Sequence, residues 1–420
     1  MSSLFEDLQW RGLVHQITDP DLPKLLDEGS LTVYIGFDPT APSLHIGNLL
    51  QLCNLRRLQE AGHRPIALAG GGTGMIGDPG GRSDERNLLS PAQLEENMAG
   101  IRRQIERFLD FSDGQALMED NGGWLWGLGY LEFLRDVGKH FTINQMVAKE
   151  SVRSRLDSEN GISYTEFSYM LLQAYDFVHL FDAHGCRLQM GASDQWGNIV
   201  MGVDLVRKLR GEAVYSLTTP LVLNSDGTKM GKSAAGDTVW LDAGRTSPYR
   251  LYQHFINVDD SMVGTYLRYF TWLDQARITG LDDAVEQRPE RREAQRELAW
   301  EVTAFVHGQE AAERAVAASE ALFSGQVAGL DEATLLEALD GAPSSDATAD
   351  GIDGLALVDV LVNAGLAKSK GEARRAFPGV YVNGRQVDDA DATLTKGDLL
   401  HGRYIVLRRG KKNYHLLRMA

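Results

Sequence analysis

The sequence predicts an α/β protein: a doubly wound parallel sheet first, an all-helical segment after it, and a small α+β module at the end. Three observations carry this. Short apolar runs alternate with amphipathic helical stretches from residue 31 onward. From residue 248 to about 322 the pattern is helical throughout. Residues 361–420 carry 12 Lys and Arg against 5 Asp and Glu, a surplus of +7 on a chain whose net charge is −16.

The chain has 420 residues, more than one hydrophobic core usually serves, so two or three domains are expected. Residues 31–37 (Leu-Thr-Val-Tyr-Ile-Gly-Phe) read as a buried strand, and 47–61 as an amphipathic helix after a loop with Pro39 and Pro42. Residues 65–69 are a second strand that ends in a glycine-rich turn; strand, helix and strand in this rhythm indicate a parallel sheet. Pro91 opens another helix. A helix over 165–180 is expected with Thr165 as its N-cap. A strand at 188–190, a polar turn at 191–195, a helix to about 209 and an extended stretch at 216–223 follow. Residues 224–236 form a polar loop.

The expected domains are therefore 1–223, with an insertion at about 121–164; a loop and connector at 224–247; a helical domain at 248–340; a flexible linker at 341–354; and a basic module at 355–420. In that module two short helices (357–364 and 370–376) precede a strand and an Asn-Gly turn at 380–385.

Composition is that of a soluble globular chain, 43% hydrophobic and 24% charged, with no apolar run long enough to cross a bilayer. Glu6 and Asp7 stand where a secretory signal would be basic and then apolar, so none is expected. Cys53 and Cys186 are unpaired in spacing, which argues against a disulfide framework or a zinc site and for a reducing cytoplasm. The +7 surplus leaves −23 for residues 1–360, so a polyanion partner is expected at the tail rather than on the body.

Chemistry concentrates in four places. Asp38-Pro-Thr40-Ala-Pro-Ser-Leu-His45-Ile-Gly47-Asn48 lies where a strand ends and a helix begins. Free N–H groups and the positive dipole end suit a triphosphate there; Gly47 would admit a nucleotide close to the backbone, and His45 would donate to phosphate. Lys229-Met-Gly231-Lys232-Ser lies on the 224–236 loop, where two lysines could neutralise a leaving pyrophosphate. Tyr169, Gln173 and Asp176, four and three apart, form a narrow polar stripe on an otherwise apolar helix, which suggests a pocket. Gly191-Ala-Ser-Asp194-Gln195 follows a strand, a usual place to hold a ribose, although an N-cap Asp fits equally. Gly72-x-Gly74-x-x-Gly77 matches a dinucleotide fingerprint, but Asp78 would repel a pyrophosphate and Pro79 interrupts the helix that should begin, so NAD is not expected.

A His-x-Gly turn or a Lys-rich loop alone is ordinary. Together and in this order they resemble the two signatures of class I aminoacyl-tRNA synthetases, His-Ile-Gly-His and Lys-Met-Ser-Lys-Ser, with Asn48 for the second His and Gly231 for the Ser. Over nearly its whole length the chain resembles bacterial tyrosyl-tRNA synthetases. That resemblance implies a Rossmann-like catalytic domain and an S4-like RNA-binding module at 355–420. It implies a homodimer through the 121–164 insertion, and as substrates L-tyrosine, ATP with Mg²⁺ and tRNA, with no membrane. Tyr34 and Asp176 match the pair that binds the substrate phenol; Asp78, Tyr169 and Gln173 match contacts to the ammonium group; Gln189 and Gln195 match contacts in or around the tyrosine site. On the ATP side stand Gly36, Asp38, Gly47, Asp194 and Lys232, with Asp194 on the ribose. Thr40, His45, Asn48, Arg82, Arg86, Lys229 and Lys232 are the catalytic candidates for the pyrophosphate. A tryptophanyl-type synthetase, another nucleotidyltransferase and a non-catalytic RNA-binding protein on this scaffold stand as alternatives.

Overall fold

The computed structural model describes residues 3–80, 89–156, 161–231, 236–348, 351–410 and 413–419. Arg82, Arg86 and Lys232 lie outside them. The chain divides into two compact units. One is Met1–Asp242 with Asp259–Glu290; the other is Ala243–Val258 with Arg291–Ala420.

The first unit is built on six strands: β1 (Gln16–Ile17), β2 (Thr32–Phe37), β3 (Arg64–Ala69), β4 (Leu117–Asp120), β5 (Cys186–Ala192) and β6 (Tyr215–Thr219). Their order is β1-β6-β5-β2-β3-β4, with every pairing parallel except that of β1 with β6. β3 and β4 wind to one side of β2, and β5 and β6 to the other. The crevice beyond the carboxyl ends of β2 and β5 is therefore the topological switch point, where open α/β sheets bind ligands. Four helices flank that crevice in sequence: α1 (Ile46–Glu60), α2 (Pro91–Ile105), α3 (Tyr164–His184) and α4 (Trp196–Arg210). α3 begins earlier than its pattern suggested. Ser163, not Thr165, is the N-cap, because its hydroxyl accepts from Glu166 N–H. α3 and α4 meet closely at Gly202, where a Cβ would stand 3.2 Å from the Phe177 ring.

Residues 259–290 depart from the expected helical domain and belong to the first unit. Part of the fastening is polar. Arg11 Nη1 and Arg57 Nη2 both donate to the Thr271 carbonyl, at 3.1 and 2.9 Å, capping the helix Asp260–Phe270 with positive charge at its negative end. Arg57 also lies over the Trp272 ring, 4.9 Å from its centroid.

In the second unit, helices Pro248–Ile256, Glu293–His307, Gln309–Ser324 and Glu332–Ala338 precede a five-stranded sheet. That sheet contains β7 (Ser344–Ala347), β9 (Val380–Val382), β10 (Arg385–Val387), β12 (Tyr404–Arg409) and β13 (Asn413–Met419), ordered β10-β9-β12-β13-β7. A separate pair, β8 (Leu355–Ala356) and β11 (Thr393–Leu394), lies beside it in the chain. The Asn-Gly turn forms as read: Asn383 and Gly384 both have positive φ, the geometry that lets a two-residue hairpin follow strand twist. The expected linker at 341–354 is corrected. Its residues Ser344–Ala347 are the edge strand β7, parallel to β13, because the sheet edge supplies the hydrogen bonds that a Ser- and Ala-rich segment cannot supply itself. Val327, Leu335 and Leu339 also bury against Tyr404, Val406 and Leu416, so the folded tail starts well before residue 355.

Candidate active site

The carboxyl ends of β2, β3 and β5 deliver Asp38, the 70–78 turn and Asp194 to one crevice. The glycines of that turn are there for packing. A Cβ on Gly70 would stand 2.1 Å from Asp38 Oδ1, one on Gly72 2.8 Å from the Leu125 side chain, and one on Gly74 2.9 Å from Pro39. Protein side chains occupy the space next to the Cα atoms of Gly72 and Gly74.

One side of the crevice is a buried polar network. Tyr169 OH donates to Asp38 Oδ2 at 2.8 Å, and Thr73 Oγ1 donates to Asp38 Oδ1 at 2.8 Å. Asn121 Nδ2 donates both to Thr73 Oγ1 (2.9 Å) and to Asp176 Oδ2 (3.0 Å), while Trp124 Nε1 donates to Asp176 Oδ1 at 2.8 Å. Asp38, expected on the ATP side, is held by both oxygens in this network, between Tyr169 of α3 and Thr73 of the 70–78 turn. Burial pushes the Asp176 carboxyl up to about 8, against the pull of the Asn121 and Trp124 hydrogen bonds. Tyr34, 1% exposed on β2, has a hydroxyl with no partner among the described residues. Burial and the nearby Asp176 charge hold that phenol well above its usual value. Gln189 is also buried, and its Oε1 likewise has no partner among the described residues.

Around the mouth, Gln195 Nε2 donates to Asp78 Oδ2 at 2.6 Å, and Asn198 Nδ2 donates to Gln173 Oε1 at 3.2 Å. Asn121, Trp124 and Asn198 were missed by sequence reasoning. Nothing in a single Asn or Trp marks it, although the Asn121-Gly-Gly-Trp124 stretch directly after a strand end was a signal.

The other side is assembled from turns. His45 caps α1: its Nδ1 accepts from Gly47 N–H at 3.0 Å, and Asn48 Oδ1 accepts from His45 N–H at 3.1 Å. With Nδ1 accepting, the neutral ring carries its proton on Nε2, and burial lowers its pKa and favours that neutral form. Asn48 keeps its amide N–H₂ as a donor. Gly47 itself lies close to two neighbouring segments. A Cβ there would stand 2.8 Å from the His45 ring and 3.0 Å from the Met230 carbonyl, so its bareness admits the protein's own chain. Main-chain bonds zip the two signatures together: Ile46 N–H donates to Val239 O, Leu241 N–H to Leu44 O, and Val239 N–H to Gly231 O. Thr40 is exposed, as is Gly36, whose missing side chain faces open space. Lys229 Nζ lies 2.8 Å from Asp194 Oδ2, joining the expected pyrophosphate and ribose residues in one ion pair.

The chain matches two families, tRNA synthetases class I (W and Y) over residues 26–324 and the tyrosine-tRNA ligase SYY-like C-terminal domain over 335–417. It is 52% identical to the tyrosine-tRNA ligase of Roseiflexus castenholzii over 426 residues, covering 100% of both chains. It is 52% identical to that of Geobacillus stearothermophilus, covering 99% of this chain and 100% of that one. Among solved structures, a C-terminally truncated mitochondrial tyrosyl-tRNA synthetase of Aspergillus nidulans superposes with a TM-score of 0.69 at 31% identity, covering 77% of this chain and 95% of that one. The tryptophanyl-tRNA synthetase of Plasmodium falciparum, at 15% identity and a TM-score of 0.55, shares the fold, covering 80% of this chain and 88% of that one. With both of its units matched and full-length relatives at this identity, the chain belongs to the class I tyrosine-tRNA ligase family.

Proposed function

We propose that this chain activates L-tyrosine with ATP and transfers it to the 3′ end of a tRNA. The observation that carries the choice of tyrosine is the Tyr34 hydroxyl, buried and without a partner among the described residues, beside the buried carboxylate of Asp176. A phenol gives the Tyr34 hydroxyl its partner and Asp176 a further donor beside Asn121 and Trp124; the bare ring of phenylalanine offers neither and leaves the Tyr34 hydroxyl stranded. Asp78, Tyr169 and Gln173 are read as the ammonium site, with Gln195 and Gln189 shaping it.

The tyrosine carboxylate attacks the α-phosphorus, an oxygen–phosphorus bond forms, the bond to the β-phosphate oxygen breaks, and pyrophosphate leaves. No general base is required, because the nucleophile is already ionised. The rate comes from positioning and from charge stabilisation. His45 Nε2–H, Thr40, Asn48 and the side chains of Lys229, Lys232, Arg82 and Arg86 are read as the donors and cations that meet the departing phosphates. Gly36 gives the nucleotide open backbone, and Asp194 takes the ribose. The exposed Lys229–Asp194 pair is worth at most about 1 kcal/mol, so a ribose hydroxyl can displace the lysine towards phosphate. Mg²⁺ is read as entering on the triphosphate, held by phosphate and water. A terminal ribose hydroxyl of tRNA then attacks the adenylate carbonyl, and AMP leaves.

The basic tail is read as the tRNA anchor. Arg408 stacks 3.8 Å from the Tyr381 ring centroid there, a platform of the kind that RNA bases use. A homodimer is read through the 121–164 segment, where Trp126, Tyr130, Leu131, Ile143, Leu156 and Tyr164 are all exposed large side chains. Sedimentation showing only monomer at assay concentration would reject it. No helix among the described residues is long and apolar enough to cross a membrane, and a cytoplasmic location is the reading its buried free cysteines support. Amino-acid-dependent exchange of pyrophosphate into ATP, run with tyrosine, tryptophan and phenylalanine, tests the activity. Exchange driven by tryptophan, or by none, would reject the proposal.

A further inference from the structure

We propose that one face of α2, made by Asn97, Gly100 and Gln104, positions the turn at residues 39–45 and thereby sets the rate of the activation step. This rests on the reading of Thr40 and His45 given above. The three residues are spaced three and four apart, so they share one helical face. Asn97 Nδ2 donates to the Pro39 carbonyl at 2.9 Å. Gln104 Oε1 accepts from Leu44 N–H at 2.8 Å, and its Nε2 donates to Ser43 Oγ at 2.8 Å. Ser43 in turn donates to the Leu44 carbonyl at 2.7 Å. Between these clamps the turn lies directly on the helix: a Cβ on Gly100 would stand 2.0 Å from the Pro42 carbonyl oxygen.

The turn needs such a partner. Pro39 and Pro42 have no N–H to give, so the segment cannot hold itself with a ladder of its own. It joins the end of β2 to the cap of α1, and Thr40 and His45 take their places from it. Asn97 and Gln104 are each only 6% exposed, an unusual depth for amides, and the contacts named here spend them on this turn. They are positioning residues: their hydrogen bonds end on main chain and on Ser43, not at a phosphate.

The test uses the full chain and the variants Gly100→Ala, Gln104→Leu and Asn97→Ala. Equilibrium tyrosine binding, kcat and KM for tyrosine- and ATP-dependent pyrophosphate exchange, and the thermal midpoint are measured for each. Restoring an ordinary contact at Gly100→Ala displaces the turn by about 1 Å, and a shift of that size is expected to lower kcat on the order of 10²-fold. Gln104→Leu and Asn97→Ala, which remove hydrogen bonds without adding bulk, are expected to lower kcat by about tenfold. Tyrosine affinity is expected to stay within about twofold throughout, the mark of an effect confined to the transition state. Should Gly100→Ala fail to fold, the other two variants decide. Unchanged kcat in the variants overturns the inference. So does a parallel loss of kcat, tyrosine affinity and thermal midpoint, which is what a merely structural face would give. Failure of the unaltered chain to exchange pyrophosphate with tyrosine instead overturns the functional reading itself.

Discussion

On the side of the crevice read as taking the amino acid, Asp176, Asn121, Thr73, Asp38 and Tyr169 form one unbroken hydrogen-bonded chain held on strand ends and a long helix. On the side read as meeting the phosphates, Thr40, His45 and Lys229 stand on turns, and Thr40 and Lys229 are exposed. The contrast follows from what each side has to recognise. One hydroxyl separates tyrosine from phenylalanine, and only desolvated groups with fixed partners make that hydroxyl costly to omit. Phosphate charge is large, and it moves as the reaction proceeds. Cations on turns can follow it, and the main-chain zipper between residues 44–46 and 239–241 keeps the two turns in register while they do.

If the two sides are as separate as this, the largest effects come from the phosphate side and spare tyrosine binding. Lys232→Ala and His45→Ala are each expected to slow adenylate formation by roughly 10²–10³-fold, the usual cost of one transition-state donor. Pre-steady-state adenylate formation measured beside equilibrium tyrosine binding checks this. Equal losses in both quantities would join the two sides and break the comparison.

The amino-acid side is expected to give smaller changes that appear in selectivity. Tyr34→Phe removes one donor to the phenol, and Asp176→Ala removes its charged acceptor. Each such hydrogen bond contributes roughly 1.5–3 kcal/mol, so the preference for tyrosine over phenylalanine is expected to fall by about ten- to a hundredfold. Asn121→Ala tests the network rather than the contact. It frees Asp176 Oδ2 and Thr73 together, and is expected to erode the same preference by less. Selectivity that survived all three changes would remove the pocket from this part of the fold.

The two sides also differed in how far they could be read from sequence. The residues read as the phosphate side stand out in the sequence because they form short contiguous runs, 38–48 and 229–233. The Tyr169, Gln173 and Asp176 stripe was legible from helical spacing. What joins these to the rest was not. Asn121 meets Asp176 across 55 positions and Gln104 meets Ser43 across 61, and no local pattern encodes a contact between segments so far apart. Gly47 and Gly72 mark a different limit. Their bareness was visible, but sequence could not say whether a ligand or the protein's own chain would fill the space. β7 was hidden for another reason: Ser-Ser-Asp-Ala has no strand character of its own and becomes one only because β13 offers an edge.

The smallest expected effect sharpens the account of Asp176. Burial, by penalising the charge, pushes its carboxyl up to about 8 from an ordinary value of 3.8. Between those values the folded chain keeps a proton that the unfolded chain has lost. Unfolding then releases a proton, and stability falls as pH rises through the window; below it both states are protonated and the difference vanishes. The Asn121 and Trp124 hydrogen bonds favour the ionised form and limit the effect without reversing its sign. Thermal midpoints of the unliganded chain are therefore expected to decline from about pH 5 to about pH 8 more steeply than those of Asp176→Asn, whose amide cannot titrate. Tyrosine reduces the difference, since its phenol donates to the carboxylate and favours the charge. Identical slopes for the two proteins would mean that Asp176 is ionised throughout, with Asn121 and Trp124 outweighing burial. The amino-acid side would then hold a fixed charge before substrate arrives, and the phenol would be recognised by a preformed anion.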